Sequence, residues 1–241
     1  MSKAQSRNNK LYWVRDNVIA GDFPPVSAAL MEPDGLLAIG GDLSPERLLH
    51  AYRRGIFPWY NEGQPILWWS PDPRWVLEPA ALKISRSLKK TINRKKFHVT
   101  YDTHFRKVME MCAAPRNNTD STWITPDIMR GFNLLHRQGY AHSVECWSKG
   151  RLAGGLYGIA IGSVFSGESM FSLENDASKV ALVSLAQQLL AWNFRIIDCQ
   201  VYSRHMESLG AKPVSRHRFA DLLKQFCSTH NHHDWRALNV A

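Results

Sequence analysis

Hydrophobic residues recur every three or four positions in three segments of the chain, and this spacing predicts three amphipathic helices. The second segment follows Thr125-Pro126, which suits a helix start because a hydroxyl can cap free N–H groups and proline is tolerated at the first helical position. We expect one face of each helix to be buried. The positions that define these faces are Phe105, Val108, Met109 and Cys112; Met129, Phe132 and Leu135; and Phe219, Leu222, Leu223 and Phe226.

Between the second and third of these helices, short runs of β-branched and aromatic residues alternate with turn residues, which is typical of strands. The runs HSVECW, RLAGGLYGIAIG and SVFSGESMF predict a sheet with antiparallel neighbours. A long helix is then expected over residues 177–191, capped by Asn175 or Asp176 and followed by the apolar strand FRIIDCQVY.

The first third of the chain differs in amino-acid composition from the rest. From Phe23 to about Arg74 it is dense in Gly, Pro and Trp, and it contains a helix that Ser44 is expected to cap and Gly55 to end. We therefore predict an α+β protein with a small, loop-rich N-terminal domain over residues 1–74 and a mixed α/β domain over residues 75–241. The polar residues after Cys227 are expected to fray.

Composition narrows the class of protein. The chain has 241 residues, 44% of them hydrophobic and 21% charged, which is typical of a folded globular protein and excludes disorder of the whole chain. The apolar stretch 152–165 is interrupted by glycines and is shorter than the roughly 20 residues that span a bilayer. No membrane crossing is expected, and the polar residues 1–10 together with four scattered cysteines favour a cytoplasmic protein without disulfides.

Positive charge favours a polyanionic partner, and nucleic acid is the first candidate. Lys and Arg number 30 against 21 Asp and Glu, a net charge of +9. Much of the excess lies in what we call the basic segment, residues 83–96, which has no acidic residue. An ordinary solvated helix face is the alternative interpretation. The basic side chains are Lys83, Arg86, Lys89, Lys90, Arg94, Lys95 and Lys96.

Asp198 and Gln200 end a strand whose preceding residues are largely apolar. In a regular strand alternate side chains share a face, so these two are expected to converge on one pocket and Cys199 to point away from it. A carboxylate beside an amide could hold an amine. Alternatively, Asp198 forms a structural salt bridge and Gln200 is exposed.

A second carboxylate, Glu168, lies in the apolar and aromatic run GESMF. Its burial would require a partner, either a cationic substrate or one of the many arginines. The nine tryptophans crowd around the domain boundary and the start of the second helix. Core packing is their ordinary role, although exposed aromatic rings beside basic residues can stack on nucleic-acid bases.

Several familiar chemistries lack their motifs. The chain contains no GxxxxGK[ST] loop, no GxGxxG opening a helix and no GxSxG, so nucleotide hydrolysis, dinucleotide redox chemistry and a serine triad are not indicated. The cluster of Cys227, His230, His232 and His233 lies in a polar tail, and we interpret it as solvated rather than metal-binding. We expect no metal site.

Motifs in a fixed order nevertheless carry a resemblance that extends from about Phe23 to Phe226. The run EPDGLLAIGGDLSPERLLHAYRRGIFPWY, then PILWWSPDPR, TWIT, GESMF, IDCQ and SLGA resembles the leucyl/phenylalanyl-tRNA-protein transferase family. The resemblance implies transfer of Leu or Phe, and weakly Met, from charged tRNA to an N-terminal Arg or Lys, which marks the acceptor protein for the N-degron pathway. It also implies a C-terminal domain like the GCN5-related N-acetyltransferases.

The resemblance further implies roles for individual residues. Gln200 would bind the attacking amine and Asp198 would fix that arrangement, while Trp59 and Trp123 would sandwich the terminal adenine of the tRNA. The basic segment would contact the tRNA backbone. We expect no cofactor, since aminoacyl-tRNA is a substrate, and a monomeric enzyme. The amino-acid site would be formed by Glu168, Gly167, Met170, Phe165, Leu185 and Ile197.

Two features bear on the rival interpretations. A coenzyme A-dependent acyltransferase should carry a pyrophosphate-binding turn, which is missing after Gly167, and a noncatalytic RNA-binding module would not need Asp198 and Gln200 together. Arg204 departs from the short polar or acidic residues that the family pattern suggests after IDCQ. It could point to solvent, or it could repel basic acceptor residues.

Overall fold

Two β-sheets organise the chain. The structure is a computed structural model that describes residues 11–16, 23–115, 122–229 and 233–239. The first sheet has the strand order β1-β2-β4-β3, in which β1 runs parallel to β2 and the other neighbours are antiparallel. Its strands are β1 (Tyr12–Val14), β2 (Leu36–Gly40), β3 (Phe57–Pro58) and β4 (Leu67–Trp69), with helix α1 (Pro45–Arg53) between β2 and β3.

The ends of α1 differ in part from the sequence prediction. The Ser44 hydroxyl makes no capping hydrogen bond; instead the Ser44 N–H donates to Asp42 Oδ1 at 2.9 Å. Pro45 occupies the first helical position, and the chain leaves the helix through Gly55, whose φ of +76° favours glycine.

The second sheet carries seven strands in the order β11-β5-β10-β9-β8-β7-β6. All neighbours are antiparallel except β9 and β10, which run parallel. The predicted antiparallel sheet is confirmed, and the mixed α+β architecture with it. The strands are β5 (Arg74–Leu77), β6 (His98–Tyr101), β7 (Ala141–Ser148), β8 (Arg151–Ile161), β9 (Val164–Ser172), β10 (Ile196–Gln200) and β11 (Lys212–Val214).

Six helices accompany this sheet. The long helix begins and ends where the sequence predicts, but its N-cap residue is Asp176, whose side chain makes no capping hydrogen bond. Thr125 caps the fourth helix by accepting a hydrogen bond from the Ile128 N–H at 3.3 Å. At Gly154 the backbone lies against Ala177 of one helix, whereas at Gly155 it lies near Val108 of another, so the two helices cover opposite faces of the sheet. The helices are α2 (Arg86–Asn93), α3 (Phe105–Ala113), α4 (Pro126–Arg137), α5 (Ala177–Ala191), α6 (Arg204–Ser208) and α7 (Arg216–Phe226).

The two sheets share a hydrophobic core. Val14 and Trp68 of the first sheet belong to the same buried cluster as Phe132 of α4 and Tyr157 of β8. The first sheet therefore packs on the α3–α4 side of the second, and the site described below lies where the two units meet. None of the helices within the described ranges is long and apolar enough to cross a membrane.

The described part of the C-terminal tail packs against the body, so the predicted fraying is wrong for residues 233–239. Trp235 is buried and stacks on His142 with a centroid distance of 4.1 Å. The Asn239 side chain bonds both backbone groups of Tyr101, at 2.8 and 2.7 Å. One buried tryptophan outweighs the polarity of its neighbours, because it removes a large apolar area from water. His230 and His232 lie outside the described residues.

Candidate active site

The site lies just beyond the point where β9 and β10 stop pairing. Their parallel register ends at Asp198 opposite Ser166. The next residues, Gly167 and Glu168 on β9 and Gln200 on β10, therefore lie beyond the last paired positions. Because parallel strands that separate leave backbone and side chains free to face a ligand, this end of the sheet is a natural binding position.

A β-bulge in β10 sets the directions of the two predicted side chains. The pairing of β10 with β5 shifts register between Asp198 and Gln200, and Gln200 adopts a left-handed φ of 62°. The expectation that both side chains converge on one pocket, with Cys199 opposite, is wrong. Asp198 and Cys199 line one cavity and Gln200 lines another, since the bulge breaks the two-residue alternation of a regular strand.

Asp198 is held in a buried ion pair with Arg74. Arg74 Nε and Nη2 donate to the two carboxylate oxygens at 2.8 and 2.7 Å, and each of the two residues is only 1% exposed. The guanidinium lies between the rings of Phe57 and Phe219, 4.7 Å from each centroid. Of the two interpretations of Asp198, the structural salt bridge matches this geometry.

Asp198 also fixes the backbone of Gln200. The Gln200 N–H donates to Asp198 Oδ1 at 2.9 Å, which holds the bulge in place. Gln200 itself is 9% exposed and so is not the surface residue of the alternative interpretation. The side-chain Nε2 of Gln200 donates to Glu168 Oε1 at 2.8 Å. Since a carboxyl group offers an acceptor oxygen here, the amide nitrogen faces Glu168 and the amide oxygen is left for other partners.

Glu168 has an unusual environment for a carboxyl group. Its Oε2 is buried and makes no hydrogen bond within the described part of the chain. Burial raises the pKa of Glu168 to about 8. The Tyr52 hydroxyl opposes this pKa shift, although the two groups do not meet at full hydrogen-bond geometry. No lysine or arginine of the described ranges forms an ion pair with Glu168, so of the two alternatives the arginine partner is not found.

Two cavities adjoin at Glu168. The first, which we call the β9–β10 cavity, has a volume of about 180 Å³ and apolar walls. The second, the tryptophan cavity, has a volume of about 130 Å³ and is lined by Trp59, Trp123, Glu168 and Gln200 among others. All six residues of the predicted amino-acid site line the first cavity: Glu168, Gly167, Met170, Phe165, Leu185 and Ile197.

The tryptophans of the first domain divide between two environments. Trp68 is fully buried and its indole N–H donates to the Gly40 carbonyl at 2.9 Å, as expected of a core residue. Trp59 is 46% exposed at the mouth of the tryptophan cavity, and its carbonyl accepts a hydrogen bond from Trp69 Nε1 at 2.7 Å. Trp59 therefore presents a ring to solvent from a fixed backbone.

The basic segment lies on the surface, on and beside α2. All seven of its Lys and Arg residues are exposed. Lys96 forms an ion pair with Glu174 at 3.1 Å and lies over the Phe97 ring, whereas the other six have no ion-pair partner in the described ranges. Six accessible positive charges remain: Lys83, Arg86, Lys89, Lys90, Arg94 and Lys95.

Sequence reasoning missed several residues of the site. Arg74 and Tyr52 come from strands and helices far away in the chain, so no local pattern links them to Asp198 or Glu168. His205 and Met206 line the β9–β10 cavity from α6, and only their closeness to IDCQ in the sequence gave a signal. Arg204 is exposed at the start of α6 and lines neither cavity.

Comparison with known proteins identifies the class and the family. The model of the "Leucyl/phenylalanyl-tRNA protein transferase" family matches residues 76–224, and that of its N-terminal domain matches residues 41–72. A leucyl/phenylalanyl-tRNA–protein transferase of Stutzerimonas stutzeri is 52% identical over 94% of this chain and 100% of its own length. One of Nitrosomonas europaea is 56% identical over 84% of this chain and 86% of its own. The protein is thus a transferase enzyme. It belongs to the leucyl/phenylalanyl-tRNA–protein transferase family.

Solved structures give weaker matches. A GCN5-related N-acetyltransferase from Kribbella flavida overlaps 69% of this chain and 60% of its own at 12% identity, with a TM-score of 0.38. The structure of L-PGS from Bacillus licheniformis overlaps 71% of this chain and 57% of its own, with a TM-score of 0.39. TM-scores below 0.5 carry no argument about the fold, so the acetyltransferase-like topology stays a prediction from the resemblance.

Proposed function

We propose that the enzyme transfers Leu or Phe, and Met more weakly, from charged tRNA to the N-terminal Arg or Lys of acceptor proteins. The observation that carries this proposal is the pair of adjoining cavities with Glu168 at their junction. In this proposal the tryptophan cavity receives the terminal adenine of the tRNA, and the β9–β10 cavity receives the amino-acid side chain. The product carries a new N-terminal residue that serves as a degradation signal in the cytoplasm.

The donor is bound by stacking and by apolar burial. Stacking of a base on aromatic rings contributes about 1 to 3 kcal/mol per base, and the presence of Trp59 and Trp123 in the lining of one cavity supports this role. The walls of the β9–β10 cavity, including Phe165 and Met170, favour an apolar side chain. Since one methylene contributes only about 1 to 3 kcal/mol to discrimination, Met is expected to be accepted at a lower rate.

The basic segment binds the tRNA backbone. Six exposed cations without ion-pair partners among the described residues support this role. Phosphate contacts of this kind position the tRNA without reading its sequence.

The enzyme works as a monomer.

The chemistry depends on orientation, because the aminoacyl ester is already activated. We propose that the reaction needs no metal or cofactor. Gln200 Oε1 accepts a hydrogen bond from the attacking amine, since Gln200 Nε2 is committed to Glu168. Asp198 holds Gln200 through its backbone N–H. Correct orientation of two reactants can lower the activation barrier by up to about 7 to 11 kcal/mol.

Acceptor preference follows from charge. The Arg74 guanidinium offsets the negative charge of Asp198, so Glu168 is the carboxyl available to a basic acceptor residue. Arg204 points toward solvent and is not expected to repel the acceptor. An E168Q enzyme should lose preference for a peptide beginning with Arg over one beginning with Ala.

The testing experiment is transfer of radiolabelled leucine from Leu-tRNA to a peptide that begins with Arg, with an Ala-initiated peptide and a Gln200→Ala enzyme as controls. Label on the Arg peptide alone, lost in the variant, supports the reaction and the site. Tight binding of charged tRNA without transfer to any peptide would instead indicate a noncatalytic RNA-binding protein.

A further inference from the structure

The proposed reaction moves protons as well as the aminoacyl group. An amine that attacks an ester must lose a proton, and the ribose oxygen that leaves must gain one. A neutral amide such as Gln200 orients the amine but is too weak a base to take its proton. Another group that faces the reacting atoms has to carry it.

Asp198 does not fit this role. Both of its oxygens accept hydrogen bonds from Arg74, at 2.8 and 2.7 Å, and Oδ1 also accepts from the Gln200 N–H. Proton uptake would break a buried ion pair and leave the Arg74 charge uncompensated, which is costly in a protein interior. The oxygens of Asp198 are therefore committed to Arg74 and to the Gln200 backbone.

The other titratable groups at the β9–β10 cavity fit no better. Burial raises the pKa of Cys199 and of Tyr157, so neither is available as an anion near neutral pH. His205 lines the β9–β10 cavity but not the tryptophan cavity, where the amine approaches Gln200. Among the described residues, Glu168 is the titratable group that lines both cavities.

Glu168 has the geometry of a proton carrier. Its Oε1 is fixed by the Gln200 amide at 2.8 Å, so the carboxyl group lies beside the residue that orients the amine. Its Oε2 is buried and makes no hydrogen bond of full geometry within the described ranges, although the Tyr52 hydroxyl lies close enough to influence the carboxyl group. A lone pair of this oxygen can therefore take up a proton while Oε1 stays bonded to Gln200.

We propose that the Glu168 carboxylate takes a proton from the amine nitrogen as the N–C bond forms, and returns it to the ribose oxygen as the C–O bond breaks. This inference rests on the proposed function. The reactants are a neutral amine, an ester and a carboxylate; the products are an amide, a ribose hydroxyl and the same carboxylate. Atoms and protons balance without a further reactant.

The surroundings suit this role. The pKa of Glu168, about 8, lies close to that of an α-amino group, about 7.7 to 8.0. Proton transfer between groups of similar pKa is nearly balanced in both directions, which a carrier requires. The titratable and charged groups that influence Glu168 come from four elements of the fold: Tyr52 on α1, Arg74 on β5, Tyr157 on β8 and Asp198 on β10.

The test compares single-turnover transfer by the wild type, E168Q and E168D, with Leu-tRNA and a saturating peptide that begins with Arg. Saturation removes any effect of Glu168 on acceptor binding. E168Q keeps an oxygen that can accept from Gln200 Nε2 but cannot carry a proton. The matched control is E110Q, the same substitution at a surface carboxylate of α3 that pairs with Arg106 and Lys107.

We expect E168Q to lose about 10² to 10⁴ in rate, the usual contribution of a general acid–base group. Below about pH 7.5 the logarithm of the wild-type rate should rise with a slope near 2, because both the amine and Glu168 must be deprotonated. The slope should be near 1 for E168Q and near 2 for E168D, which keeps a carboxylate. E110Q should match the wild type.

A wild-type rate or an unchanged slope in E168Q would overturn the proposal while leaving the transferase function intact. A slope of 1 in the wild type and E168D would also overturn it. Absence of transfer by the wild type itself would instead count against the proposed function. Should E168Q fail to fold, the slope of E168D decides between the outcomes.

Discussion

At the scale of single residues, the site contrasts two carboxyl groups, that of Asp198, which is buried, and that of Glu168, which is half-buried. Asp198 accepts three hydrogen bonds, two of them from the Arg74 guanidinium, whereas Glu168 accepts one and has an oxygen without a full hydrogen bond in the described part of the chain. The surroundings of Glu168 favour its neutral form. Two carboxyl groups in one site can therefore take different roles, one structural and one chemical.

The raised pKa of Glu168 makes stability depend on pH. Its pKa is about 8 in the folded protein, against about 4.3 for an unfolded glutamate, so between these values the folded state binds more protons. Stability conferred by the neutral carboxyl is present below the lower value and lost as pH rises toward 8. Because E168Q has no carboxyl group to ionise at this position, it does not lose stability in this way. The free energy of unfolding of E168Q minus that of the wild type should therefore increase by a few kcal/mol from about pH 5 to 9.

Urea unfolding of both proteins at several pH values measures this difference. E110Q, which changes a surface carboxylate, should show no such trend. A difference between E168Q and the wild type that stays constant with pH would contradict the raised pKa.

At the scale of elements, close contacts between strands fix the approach of β8 to β9. Gly158 lies opposite Gly167 in the register. A Cβ on Gly158 would collide with the Ser166 carbonyl and the Phe165 ring, whereas a Cβ on Gly167 would have its nearest contact at 3.6 Å, with the Asp198 carbonyl. The two glycines face each other, yet only one is required by packing.

Alanine at these two positions should therefore have different effects on stability. Gly158→Ala is expected to lower the free energy of unfolding by about 1 to 3 kcal/mol, since overpacking forces the strands apart. Gly167→Ala should change it much less. Chemical denaturation of both variants compares them directly, and equal losses would show that the approach of β8 to β9 is not limited at Gly158.

The α2 helix carries the prediction for tRNA binding. Replacing Lys89 and Lys90 by Ala should weaken binding of charged tRNA and make the logarithm of the affinity less steep against the logarithm of salt concentration. Each true phosphate contact contributes about 0.7 to 0.9 to that slope. The control is Arg106→Ala with Lys107→Ala, which removes two exposed cations from α3. An unchanged slope in the α2 variant would show that the basic segment is an ordinary solvated surface.

At the scale of the whole molecule, segments distant in sequence close the core. Arg74 of β5 binds Asp198 of the neighbouring strand β10, and the C-terminal tail packs on the core beside His142 and Trp192. The first contact joins residues 124 positions apart, and the second joins the C-terminal tail to the middle of the chain. Their loss is expected to affect the entire folded unit rather than one element.

Trp235 tests the importance of the tail. Trp235→Ala should lower the free energy of unfolding by about 3 to 5 kcal/mol, as expected of a large buried side chain that leaves a cavity. Arg236→Ala, at the exposed neighbouring position, should change it little. A thermal unfolding midpoint for Trp235→Ala equal to that of the wild type would show that the tail does not contribute to the core.

The sequence by itself determined the helices with clear periodicity, the antiparallel sheet and the family, because each depends on local spacing or on short motifs in order. The family resemblance also predicted as one set the six residues that line the β9–β10 cavity. Only the tertiary structure decided that Arg74 neutralises Asp198, that a bulge separates Asp198 from Gln200, and that Trp235 is buried. Those outcomes depend on contacts between residues far apart in the chain, and a local pattern holds no information about which distant partner closes over it.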